Sequence, residues 1–158
     1  MNRISKHISY QEAIRSDTAK RLGISNDPNA KQLHRMKLVA ERIFENVREH
    51  FEVPIYVSSF IRSEALNEAL HGAVGSQHMR GEAIDMDCDV YGGVTNKELF
   101  NYIREELYFD QLILENVLEN GTGGWVHCSY KKEGNRNEVL KMTKINGKSI
   151  YTNYENVS

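Results

Sequence analysis

Cysteine is scarce in this chain of 158 residues: Cys88 and Cys128 are the only two, too few for a disulfide framework and in keeping with a reducing compartment. A surplus of basic charge is also missing. Lys and Arg number 20 against 22 Asp and Glu, a net charge of -2, which leaves no footprint for broad electrostatic binding to nucleic acid or an anionic membrane. Long apolar runs are lacking: no segment approaches the roughly 18 apolar residues of a membrane span, so membrane insertion is not expected. The Met1–Tyr10 stretch has Arg3 and Lys6 but no run of signal-peptide length, so the product is expected to stay in the cytoplasm as synthesised. Internal repeats, low-complexity tracts and an interdomain linker are absent too. A single monomeric domain over 1–158 is therefore expected, mainly helical over 1–53, with its core over 54–130 and a C-terminal hairpin over 131–158.

What is present is ordinary for a globular chain, at 40% apolar and 27% charged residues. Ser9-Tyr10-Gln11-Glu12 is a capping-box pattern that opens a short helix, which Gly23 can end. Asp27-Pro28 is a second start signal. Leu33, Met36, Val39, Ala40, Ile43, Phe44 and Val47 then recur at helical spacing and predict a helix from about Pro28 to His50. Ile55 to Phe60 suits a strand, Ser63 to His71 a short helix closed by Gly72, and Thr95-Asn96-Lys97-Glu98 another capping box. Asp110–Glu115 and Trp125–Tyr130 read as an antiparallel pair joined by a nine-residue connection, and Asn146-Gly147 as the turn of a final hairpin.

Chemistry concentrates in Ser76-Gln77-His78-Met79-Arg80-Gly81-Glu82-Ala83-Ile84-Asp85, read with Trp125-Val126-His127. A histidine, an aspartate seven residues on, and a second histidine from a distant strand make a three-ligand zinc site that keeps its fourth position for water, the mark of a metal-dependent hydrolase. Alternation along the strand that follows turns Ala83, Asp85, Asp87 and Asp89 one way and Ile84, Met86 and Cys88 the other, which predicts an acidic cleft face and an apolar core face. A symmetric pairing of the next two strands sets Ile113 opposite His127 and Glu115 opposite Trp125. Glu115 then lies diagonally beside His127, where it could take a proton from water and return it to a leaving amine. His7, His34, His50 and His71 have no such company and read as structural or solvated.

The run Ser58-Ser59-Phe60-Ile61-Arg62-Ser63, then Leu66-Asn67, then Gly75-Ser76-Gln77-His78 with Gly81, Ala83 and Asp85, then Phe109-Asp110-Gln111-Leu112-Ile113 and Trp125-Val126-His127-Cys128-Ser129, resembles the M15 family of zinc D-Ala-D-Ala carboxypeptidases and peptidoglycan endopeptidases, in its short phage and Bacteroides-type branch. The resemblance implies an α+β, hedgehog-like fold with a small antiparallel sheet and flanking helices. It also implies one Zn2+ held by His78, Asp85 and His127, and a bacterial cell-wall peptide as substrate. Carried over position by position, it makes Arg62 the catalytic positive group; Ser76 and Gln77 read as residues that either fix the orientation of a ligand ring or contact the substrate backbone. Many family members have a catalytic carboxylate three residues before the second metal histidine, where this chain has Gly124. The acid-base role then passes to Glu115, with Glu119 the poorer candidate. Phe60-Ile61-Arg62 also stands where the family shows Gly-Tyr-Arg. The functions implied are wall lysis by an endolysin or wall remodelling, after release or non-classical export. The alternative is a catalytically inactive zinc-containing module that binds peptidoglycan or serves structure alone.

Overall fold

In the computed structural model, which describes residues 2–155, strands β1 (Arg3–Ser5) and β2 (Ile8–Ser9) pair antiparallel and lead into two helices, α1 (Tyr10–Ile14) and α2 (Asp17–Leu22). The sequence suggests one helix from Ser9 to Gly23; the backbone instead breaks at Arg15. Ser9 forms the expected capping box with Glu12, but Ser16 is a second cap, its hydroxyl accepting from the Ala19 N–H, and a new helix starts there. Gly23, left-handed at φ 66°, closes the second one.

The long helical segment is α3 (Ala30–Val39), a π-helical stretch over Ala40–Phe44, and α4 (Glu45–Phe51). Its cap is Asn29, in a capping box with Gln32, and not Asp27, whose carboxylate accepts from the Tyr10 hydroxyl at 2.8 Å. Met36, Val39, Ala40, Ile43, Phe44 and Val47 are buried along it, the stripe the spacing predicts.

The remaining elements are β3 (Tyr56–Ser59), α5 (Glu64–Ala69), a 3-10 turn over Gln77–Arg80, β4 (Ala83–Asp87), α6 (Asn96–Glu106), β5 (Gln111–Glu115), β6 (Trp125–Ser129), β7 (Glu138–Ile145) and β8 (Lys148–Asn153). Six of the strands form one sheet in the order β3-β4-β6-β5-β7-β8. The mixture of helices with this sheet is the α+β class expected. Every neighbour pair is antiparallel except β5 with β7. That parallel pair has a simple cause. β6 runs back to where β5 begins, and the chain after it is caught there by the Asn137 N–H on the Phe109 carbonyl and the Glu138 N–H on the Asp110 carbonyl, so β7 sets off alongside β5.

One face of the sheet is apolar. Ile84, Met86, Leu112, Leu114, Val126 and Cys128 form a continuous core with α3, α4 and α6, while the opposite face carries the candidate site residues. Burying each large aliphatic side chain there contributes about 1.5–3 kcal/mol. Both thiols point into this core as expected, and burial pushes the Cys88 thiol up to about 12. Among the described residues no helix is long and apolar enough to cross a membrane.

Two local devices escape a sequence reading. His71, not Gly72, takes the left-handed conformation after α5, at φ 55°. Gly72 is needed for space, because a Cβ there would lie 2.0 Å from Asn67 Oδ1. Asn96, fully buried at the start of α6, accepts from the Cys88 N–H at 2.7 Å and donates to Asp87 Oδ1, the Gly123 carbonyl and the Gly124 carbonyl. It thereby ties the 116–124 connection to the end of β4. Asn96→Ala leaves the buried Cys88 N–H without its partner and releases the Gly123 and Gly124 carbonyls, and should lower stability by about 2 kcal/mol, read as a lower urea midpoint at unchanged slope.

Candidate metal centre and its cleft

His78 reaches the cleft face through a tightly held turn. The Ser76 hydroxyl accepts from the His78 N–H, Gly81 closes the turn at φ 76°, and Gln32 of α3 donates to the Met79 carbonyl at 2.8 Å. Gly81 packs so closely on α3 that a Cβ would sit 2.7 Å from the Gln32 carbonyl oxygen. The His78 ring is oriented by its Nδ1, 2.8 Å from the Phe60 carbonyl. A carbonyl only accepts, so Nδ1 carries the proton and Nε2 presents a bare lone pair.

Asp85 on β4 and His127 on β6 are direct cross-strand partners. Asp85 Oδ1 lies 3.2 Å from His78 Nε2 and 2.9 Å from His127 Nδ1, and the three residues offer ligand atoms all within 4.8 Å of one another. Burial alone would push the Asp85 carboxyl up; the adjoining imidazoles of His78 and His127 outweigh it and hold the group well below the usual carboxylate range. Two imidazole nitrogens and one carboxylate oxygen, each free to point at a shared centre, are a donor set suited to zinc.

Glu115 is buried to 8% exposure on the same face. Its register is the expected one: Ile113 pairs with His127 and Glu115 with Trp125. Burial, then the Asp85 charge, raises its carboxyl to about 7, against the lowering influence of His127. Gly124 explains why no acid stands nearer His127 in sequence. It is left-handed at φ 57°, and a Cβ on it would fall 1.9 Å from the Glu115 carbonyl oxygen, so the backbone that carries Glu115 occupies that space. Gly124→Ala should therefore cost about 3 kcal/mol or more, seen as a fall in melting temperature, with loss of order around Glu115.

Arg62, Ser76, Gln77, His78, Asp85, Glu115 and His127 all line one open cleft of about 890 Å³. The Arg62 guanidinium contacts the far oxygen of Asp85, with Nη2 at 3.4 Å from Oδ2, and donates from Nε to the Ser59 hydroxyl at 3.2 Å. Ser76 and Gln77, expected to fix a ligand ring or to contact the substrate, have partners within the chain: Ser76 caps the His78 turn and Gln77 donates to Asp110 Oδ2 at 2.9 Å. Asp87 and Asp89 do not extend an acidic cleft face. Asp87 accepts from Asn96 and from the Asp89 N–H, and Asp89 accepts from the Gly123 N–H at 2.6 Å, so both pin the connection. Glu119 does not line the cleft, whereas Glu115 does.

Sequence reasoning missed two contributors. Asp110, with no exposed surface, holds Arg136 through both guanidinium nitrogens Nε and Nη2, at 3.0 and 2.8 Å, and lies 3.5 Å from Lys131 Nζ. The final hairpin forms a wall of the cleft, and its Tyr151 hydroxyl faces Glu115 Oε1 at 3.5 Å. Only the topology shows this, since the pairing of β5 with β7 has no short-range sequence signal.

A cleft over one face of a mixed sheet, with two imidazoles, an aspartate and a buried carboxylate along its floor, defines an α+β protein equipped for hydrolysis. The chain belongs to the family described as Peptidase M15, whose sequence model matches residues 6–129. No curated protein matches it.

Proposed function

We propose that this peptidase is a zinc enzyme that hydrolyses peptide bonds in the stems of bacterial peptidoglycan, as a D-Ala-D-Ala carboxypeptidase or an L-Ala-D-Glu type endopeptidase. The observation that carries this reading is the convergence of His78, Asp85 and His127 in one cleft with Glu115. His78 Nε2, Asp85 Oδ1 and His127 Nδ1 are the atoms that would hold the ion. When bound, zinc supplies Lewis acidity that polarises an amide carbonyl and lowers the pKa of water.

The chain's own residues do the rest. Glu115 accepts a proton from the attacking water and passes it to the departing amine, and a carboxyl whose proton affinity is raised towards neutrality serves both halves of that task. Arg62, fixed by Asp85 and Ser59, keeps N–H groups to offer to the oxyanion or to a substrate carboxylate. Gln77 and Ser76 hold the turn that aims His78. A positioned acid-base group favours a working enzyme over an inactive binding module. The enzyme would act on the wall after release through the membrane or non-classical export, as an endolysin or in remodelling, as a single domain and as a monomer.

The test is digestion of purified bacterial walls by the zinc-loaded protein, followed by turbidity and by mass spectrometry of the soluble fragments. New peptide termini identify the bond. If walls from organisms with different cross-bridges all emerge with their stems intact, the reading is wrong.

A further inference from the structure

The cleft floor continues past the strands that bear His127 and Glu115. Leu140, Met142 and Lys144 on β7, with Ser149 and Tyr151 on β8, line the same cavity. Register sets them in rows: Ile113 is beside Leu140, Glu115 beside Met142, Met142 opposite Tyr151, and Lys144 opposite Ser149. Side chains two apart on a strand share a face, so Leu140, Met142 and Lys144 form one line leading away from the histidine cluster. This hairpin lies beyond residues 6–129, the part the family match accounts for.

Charge singles out one member of that line. Five lysines and arginines border the cleft. Arg62 is paired with Asp85, Arg80 with Glu82, and both Lys131 and Arg136 with the buried Asp110. Lys144 alone, among the described residues, borders the cleft as an exposed cation with no carboxylate partner. An ammonium left free at the edge of a binding cleft keeps its full attraction for an incoming anion, whereas each paired cation shares its charge with a carboxylate of the chain.

We infer that Lys144 binds a carboxylate of the peptide substrate, and that the peptide crosses from the His78–Asp85–His127 cluster over Leu140 and Met142 onto the C-terminal hairpin. The inference rests on the proposed peptidase function and deepens it. Neighbouring strands are about 4.8 Å apart and same-face residues about 6.8 Å apart along a strand, which puts the Lys144 Cα about 8 Å from that of Glu115. The Lys144 Cα is then about 17 Å from that of His127, and an extended peptide advances about 3.3 Å per residue, so the carboxylate read by Lys144 belongs to a residue within about five positions of the bond cut. The residue over Leu140 and Met142 is an apolar one, since half-buried Leu140 and fully buried Met142 offer it no polar partner.

The experiment compares wall-derived stem peptides as free acids with the same peptides amidated at their carboxylates, using the zinc-loaded protein and its Lys144→Gln and Lys144→Arg variants. The expected result is a KM for the free acids raised roughly tenfold by Lys144→Gln with kcat unchanged, restored by Lys144→Arg, and no effect of either variant on the amidated peptides. Equal losses on both peptide forms, or no loss on either, overturn the Lys144 assignment while leaving the peptidase reading intact. Should the wild-type protein cleave neither form, the peptidase reading falls. Calorimetric binding of the free-acid peptides then decides the inference separately: a roughly tenfold weaker Kd in Lys144→Gln supports it, and equal affinity or no binding ends it.

Discussion

Glu115→Gln should abolish most turnover and at the same time stabilise the metal-free protein. A glutamine keeps the shape of the side chain but cannot take a proton, so kcat should fall by about 10²–10⁴-fold while bound zinc, measured by atomic absorption, stays the same. The stability effect follows from burial. Folding raises this carboxyl from its ordinary 4.5 to about 7, so between those values the folded chain holds a proton that the unfolded chain has released. Below pH 4.5 both states are protonated and the folded state bears no cost. As pH rises towards 7 the stability is lost, to the extent of about 3 kcal/mol once the buried group must ionise. In the metal-free protein at pH 8, Glu115→Gln should therefore melt several degrees above wild type, and at pH 4 the two should melt together. A variant that melts lower at pH 8 would show that the carboxylate is not strained by its surroundings. A cation bound beside Glu115 pulls its proton off, so the acid limb of kcat/KM in the zinc-loaded enzyme should lie between 4.5 and 7.

How far these groups could be read from the chain depends on the range of the forces that place them. His78, Asp85 and His127 are legible because strand alternation and local turn chemistry aim each one, and pairing of β4 with β6 completes the set. Glu115 is legible because the connection to Trp125 is symmetric and fixes the register. The break at Arg15 is decided by competition between two good caps, Ser9 and Ser16, and sequence patterns do not rank them. Whether Ser76 and Gln77 hold the site or face substrate is undecided by the chain alone, because their partners, the His78 turn and the buried Asp110, are set by tertiary packing. The hairpin's part in the cleft is the hardest to see. Its turn at Asn146-Gly147 is local and obvious, but which strand it joins depends on the contacts of Asn137 and Glu138 with Phe109 and Asp110, far apart in the chain.

Removing the metal, or either imidazole, is expected to have the other large effect. Zinc should bind with a stoichiometry of one, and His78→Ala and His127→Ala should each lose the ion and all measurable wall hydrolysis, as should treatment of the wild type with a chelator. Because the ion binds the folded chain and not the unfolded one, zinc at a thousand times its Kd should stabilise the protein by about 4 kcal/mol, a rise in melting temperature that both alanine variants lack. The two variants should differ without metal. His78→Ala strands the Phe60 carbonyl, which the Nδ1–H otherwise satisfies in a buried position, and should be the less stable by about 1–2 kcal/mol; half-buried His127 hydrogen-bonds to Asp85 alone among the described residues. Acid should weaken zinc binding in wild type, because protons and the ion compete for the same imidazole nitrogens and carboxylate oxygen. Retention of a full equivalent of zinc by both variants would place the metal elsewhere, and with it the chemistry assigned to this cleft.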